Sequence, residues 1–144
     1  MSGSTPVTTS YTFGTTVAMS VAEARPIVEA ALKAEGFGVL TEIDVAATMK
    51  AKLGIDGPPY LILGACNPPL AHQALQAVPD IGLLLPCNVI VREEAAERVV
   101  VGFLDPQIMV NLVGKPEVKT VADAAEQRLR RACEALGGGT TQTT

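Results

Sequence analysis

The run Leu61-Ile62-Leu63-Gly64-Ala65-Cys66-Asn67-Pro68 decides how the chain is read. Tyr60 to Ala65 is aliphatic without polar alternation, the pattern of a central strand buried on both faces. Asn67 is a good helix N-cap, and Pro68 suits the first helical position because it has no amide to leave unbonded there. Strand therefore gives way to helix at Cys66. The spacing predicts a helix to about Ala77, with Leu70, Ala74 and Leu75 or Ala77 inward and Pro79-Asp80 ending it.

A second run, Leu83-Leu84-Leu85-Pro86-Cys87-Asn88-Val89, repeats the arrangement of aliphatic residues before Cys-Asn. The sulfurs lie about 20 residues apart, the length of one strand, one helix and the return to the next strand. Strand ends of one sheet then bring both sulfurs into one neighbourhood. Such a pair serves as a redox couple, as a soft-metal site, or as two buried small residues with no chemistry.

Working outward, Pro86 to Val91 reads as the next strand, Glu93 to Glu97 as a polar hairpin loop and Arg98 to Phe103 as its antiparallel partner. Upstream, Tyr11 to Met19 is a strand, and Ser20-Val21-Ala22-Glu23 has the capping-box pattern. Val21, Ala24, Val28, Ala31 and Leu32 recur at helical spacing, and Gly36 ends the helix as a left-handed cap. Pro26 removes an amide near the second turn, so a kink or irregular start is expected. Phe37 to Asp44 is a strand, and Asp44 caps a short helix through Met49 and Leu53 that stops at Gly54. Gly57-Pro58-Pro59 is a rigid turn.

Downstream, Asp105-Pro106 opens a helical turn through Met109 and Val110. Thr120-Val121-Ala122-Asp123 starts a last helix with an apolar stripe of Val121, Ala125, Leu129, Ala132 and Leu136. The order β-α-β-α-β-α-β-β-α predicts an α+β two-layer sandwich, a mainly antiparallel sheet with helices packed on one face.

Bulk properties bound the rest. The 144 residues suit one domain, 10–136, between a disordered arm at 1–9 and a Gly/Thr tail at 137–144. Hydrophobic residues make up 48% but aromatic residues only 3%, so the core rests on Val, Ile, Leu, Ala and Met, and no stacking platform for bases is available. A net charge of −4 likewise disfavours nucleic acid. No aliphatic stretch reaches the ~20 residues of a bilayer span, so membrane insertion is not expected. Absence of a secretory signal favours the cytoplasm, where the three cysteines stay reduced.

Cys66 directly precedes a helix N-terminus, where free amide hydrogens favour a thiolate if the sulfur is open to solvent. The alternative is a small buried residue at a strand end. His72 and Met109 are the auxiliary donors that would extend Cys66 and Cys87 to a soft site for copper, as Cu(I), or for haem iron. Cys133 reads as packing on the last helix. Zinc spacing, phosphate-binding glycine loops and hydrolase elbows are absent from the sequence.

Gly64-Ala65-Cys66-Asn67-Pro68-Pro69-Leu70-Ala71, Gly82-Leu83-Leu84-Leu85-Pro86-Cys87-Asn88-Val89 and Asp105-Pro106 together resemble the family known as domain of unknown function 302. The similarity covers roughly Val17 to Leu136. It implies a small α+β domain that forms a homodimer, and points to Cys66, Asn67, Pro68, Pro86, Cys87, Asn88, Asp105 and Pro106 as site residues. It implies no settled activity.

The function expected from these readings is a cytoplasmic dimer whose Cys66/Cys87 pocket holds a soft metal, a haem-like cofactor or a small apolar ligand. Its rivals are a thiol-redox enzyme, with Cys66 attacking and Cys87 resolving, and a structural domain without chemistry.

Overall fold

Local capping signals place the first three helices where the sequence puts them. In the computed structural model, which describes residues 5–137, Ser20 caps α1 (Val21–Ala34) through a reciprocal box. The Glu23 amide donates to Ser20 Oγ at 3.1 Å and the Ser20 amide to Glu23 Oε1 at 3.0 Å. The helix runs through Pro26 unbroken, and Gly36 turns the chain at φ +86°, a conformation that glycine adopts without penalty. Asp44 caps α2 (Val45–Leu53) by accepting from the Ala47 amide at 2.8 Å.

The strands β1 (Pro6–Thr8), β2 (Thr12–Val17), β3 (Gly38–Asp44), β4 (Tyr60–Cys66), β5 (Cys87–Ala95) and β6 (Arg98–Leu104) form one open sheet. Their order is β1-β2-β6-β5-β4-β3, and every neighbouring pair is antiparallel. Helices α1, α3 (Pro68–Ala77) and α5 (Pro116–Leu136) cover the inner face, with α4 (Gln107–Val113) against α5. The fold is α+β, as the element order predicted.

Three boundaries differ from the sequence reading. Pro6–Thr8 lies in the segment expected to be a disordered arm, yet it pairs with β2, and the Thr5 amide donates to Thr16 Oγ1 at 2.8 Å. The rest of the expected arm at 1–4, and the expected tail beyond Gly137, lie outside the described residues. The last helix begins at Pro116, before the Thr120 start, because Pro116 itself occupies the first turn. The hairpin is tighter than expected, since β5 continues to Ala95 across a register shift and Glu97 takes a positive φ of 59°.

Inward side chains of β2, β4, β5 and β6 pack with α1 and the C-terminal half of α5 in the larger core, around Leu32, Leu63, Val89, Val101 and Phe103. A second core gathers Ala74, Ile81, Met109, Val118 and Val121 under α3, α4 and a 3-10 segment, Pro79–Leu84. On the outer face of the sheet Ile43 is exposed and Ile62 and Ile90 are half-buried. Ile43, Ile62 and Ile90 stand in one cross-strand row that continues to Gly102 and Gly14. Strand β4 is consequently not buried on both faces. Its outward Tyr60 and Ile62 are only half-buried, because the aliphatic run marks position in the sheet and not double cover.

Candidate functional site

Antiparallel pairing sets the end of β4 beside the start of β5. Ala65 lies opposite Cys87 and Gly64 opposite Asn88, while Cys66 pairs across the other edge of β4 with Gly38. Both thiols therefore sit at one end of adjacent strands, and both line a cavity of about 300 Å³.

The cavity occupies the seam between the two cores. Leu70 and Ala74 of α3, Met109 of α4 and Val121 and Ala125 of α5 form its walls, with Leu40, Leu75 and Gly82 at an exposed rim. Leu85 and Pro86, joined by a cis peptide bond, complete it beside Cys87. Among the described residues no charged side chain lines it, and the one amide side chain there is Asn67.

Asn67 caps α3, accepting from the Leu70 amide through Oδ1 at 3.3 Å, and its backbone carbonyl accepts from the Ala71 amide at 2.9 Å. Pro68 and Pro69 carry no amide hydrogen. The free amides that the sequence reading placed beside Cys66 are therefore absent, because it did not count Pro69 as a second missing donor. Cys66 is half-buried.

Burial pushes the Cys87 thiol from its ordinary 9.0 up to about 11, and the neighbouring Cys66 adds to the rise. At neutral pH Cys87 is thus a thiol. Cys133 is also driven up to about 11 by burial, with Arg130 opposing; it packs against the larger core away from the cavity. All three cysteines are free.

Of the residues singled out in sequence, the cavity gathers Cys66, Asn67, Pro86, Cys87 and Met109. Pro68 is exposed at the first turn of α3, and His72 is exposed on the same helix and does not line the cavity. Asn88 is exposed on β5. Asp105 works elsewhere: its Oδ1 accepts from the Gln107 amide at 2.9 Å, its own amide donates to the Tyr11 carbonyl at 2.8 Å, and Arg130 lies 3.9 Å from its Oδ2. Arg130 also stacks over the Phe13 ring at 4.2 Å, so Asp105-Pro106 fastens α4 and α5 to the sheet corner. The sequence reading missed Phe37, Leu85, Val121 and Ala125 as lining residues; only the Leu70/Ala74 spacing on α3 carried a signal.

The donor set suits a metal poorly. Among the described residues no group of three His, Cys, Asp or Glu side chains gathers, and with His72 turned away Met109 is left as the sole auxiliary donor. For haem, no cationic side chain lines the cavity to pair with the propionates. Among the described residues the lining is apolar, with two thiols and one amide as its chemically distinctive groups.

These features define a class: an antiparallel α+β domain with an apolar cavity at its strand ends. Over residues 13–136 the chain matches the family described as domain of unknown function DUF302, and it belongs to that family. It is similar to the crystal structure of an uncharacterized conserved DUF302 protein from Bacillus stearothermophilus, with a TM-score of 0.81 and 29% identity over 89% of this chain and 99% of that one. No curated protein matches the chain. Among the described residues no helix is long and apolar enough to cross a membrane.

Proposed function

We propose that the chain is a cytoplasmic homodimeric binding protein that holds a small apolar ligand in the cavity between β4, β5, α3 and α5. One observation carries this reading: a space of about 300 Å³ that, among the described residues, is lined without a charged side chain. Ligand pockets typically begin at about 300 Å³ and are mostly apolar with few polar groups. Soft-metal and haem versions have less support because the auxiliary donors do not converge. The thiol-redox reading is weakened by Cys87, which holds its proton at neutral pH and makes a slow resolving nucleophile.

Support for the homodimer comes from the uncovered side of the sheet. The Ile43-Ile62-Ile90 row is an apolar strip that stays partly exposed, and α2, only nine residues long, has no buried residue. Such short helices gain most of their stability from packing, which a second copy would supply. Three free thiols suit a reducing compartment.

Toluene tests the cavity. Its addition should raise the thermal midpoint of the wild type by mass action, and Ala71→Phe, which fills the cavity from a half-buried helix position, should abolish the rise. An unchanged midpoint in the wild type would sink the ligand reading. Sedimentation equilibrium addresses the assembly: a dimer should become a monomer on Ile62→Lys, and a wild-type monomer would remove that part.

A further inference from the structure

Sulfur is concentrated at the cavity. The chain has four Met and three Cys, and Met109, Cys66 and Cys87 all line the recess. Cys87 stands on the inner face of the sheet, opposite the fully buried Ala65, and Cys66 is near enough to act on its thiol. Met109 enters from α4 and is 4% exposed.

A ring joins the sulfurs. Phe13 and Phe103 stack on each other with centroids 5.5 Å apart. Phe37 lines the recess and has no ring partner among the described residues. Aromatic pairs gain beyond the area they bury, and a polarizable sulfur about 5 Å from a ring attracts its edge. Size sets the rest. An apolar cavity of about 150 Å³ accommodates benzene, so a space of about 300 Å³ suits a body of about two rings.

Resting on the ligand-binding reading above, we propose that the cavity selects a neutral, planar aromatic ligand of about two fused rings, held by Phe37 and the sulfurs of Cys66, Cys87 and Met109. The walls that favour a ring disfavour a charge. Among the described residues no cation lines the recess, and burial keeps the Cys87 thiol protonated up to about 11. An entering carboxylate would meet the same desolvation cost without a partner. The mouth is apolar as well, with exposed Leu40 and Leu75 at the rim and Leu83 beside Gly82.

Two liquids of similar bulk test this on the whole chain: 1-methylnaphthalene, planar and aromatic, and decalin, saturated and puckered. Supplied as vapour at the same fraction of saturation, they enter at equal activity, which cancels their difference in hydration. 1-Methylnaphthalene should bind about tenfold more tightly than decalin, the combined worth of a few sulfur and ring contacts. Met109→Leu, which keeps the volume, should narrow that ratio about threefold. In the wild type the Met109 methyl resonance should move upfield under the ring current of 1-methylnaphthalene, and much less with decalin. In solution 1-naphthoate should bind at least about tenfold more weakly than 1-methylnaphthalene. Equal or tighter binding of decalin overturns the aromatic preference, and equal binding of 1-naphthoate overturns the neutral one; either leaves the cavity reading intact. Binding of toluene with exclusion of 1-methylnaphthalene overturns the two-ring size. No binding of any probe overturns both readings.

Discussion

The two Cys-Asn segments are alike in sequence and opposite in circumstance. Cys66-Asn67 closes a strand and opens a helix, so its Asn is buried as a cap; Cys87-Asn88 begins a strand, and its Asn faces solvent. Both sulfurs reach the same cavity because β4 and β5 run antiparallel, which lays the end of one strand beside the start of the other. The dipeptide does not set the role of its residues. Chain direction does.

The comparison is broken most severely at Gly64, which lies in register with Asn88 and leaves room for both segments. A Cβ there would collide with Thr41 Oγ1 and stand 2.8 Å from Pro86 Cγ. Gly64→Ala should destabilise the fold by about 1–3 kcal/mol, read from urea unfolding. A neutral result would mean that Pro86 yields easily and that the two segments are not tightly coupled.

Asn67→Ala comes next. Loss of the cap should cost about 1 kcal/mol in the same assay.

A smaller difference lies in pH dependence. The Cys87 and Cys133 thiols are both raised to about 11, so the folded chain keeps protons that the unfolded chain releases. Stability from these thiols is complete below their ordinary 9.0 and is lost as pH rises toward about 11. Urea midpoints should therefore fall between about pH 9 and about pH 11, and the fall should be shallower in Cys87→Ala. Equal slopes for the two proteins would show that Cys87 is not shielded from water.

The smallest effect should come from Asn88→Ala, within about 0.5 kcal/mol of wild type because its side chain is exposed. A loss equal to that of Asn67→Ala would erase the distinction between the segments.

Much of the fold was legible because its signals are local. Ser20, Asp44 and Asn67 each cap the helix that the sequence assigned to them, since a cap needs only the next few residues. Strand spacing allowed Cys66 and Cys87 to meet, but it is the antiparallel register of β4 and β5 that lays their segments side by side. Pro6–Thr8 was not legible: three residues in a Ser/Thr-rich stretch acquire strand structure only from the β2 edge beside them. His72 stands apart for a geometrical reason, because Leu70 and Ala74 set the inward face of α3 and a residue two positions from each projects from the opposite side of the helix. The distant walls, Phe37, Val121 and Ala125, depend on how α5 lies across the sheet, which no short pattern encodes.

Those walls carry a corollary for how the chain matures. The lining spans Phe37 to Ala125, drawing on both cores, so no fragment lacking α5 could present the recess to a ligand. Occupancy would thus act as a late checkpoint, registering only chains whose last helix has docked.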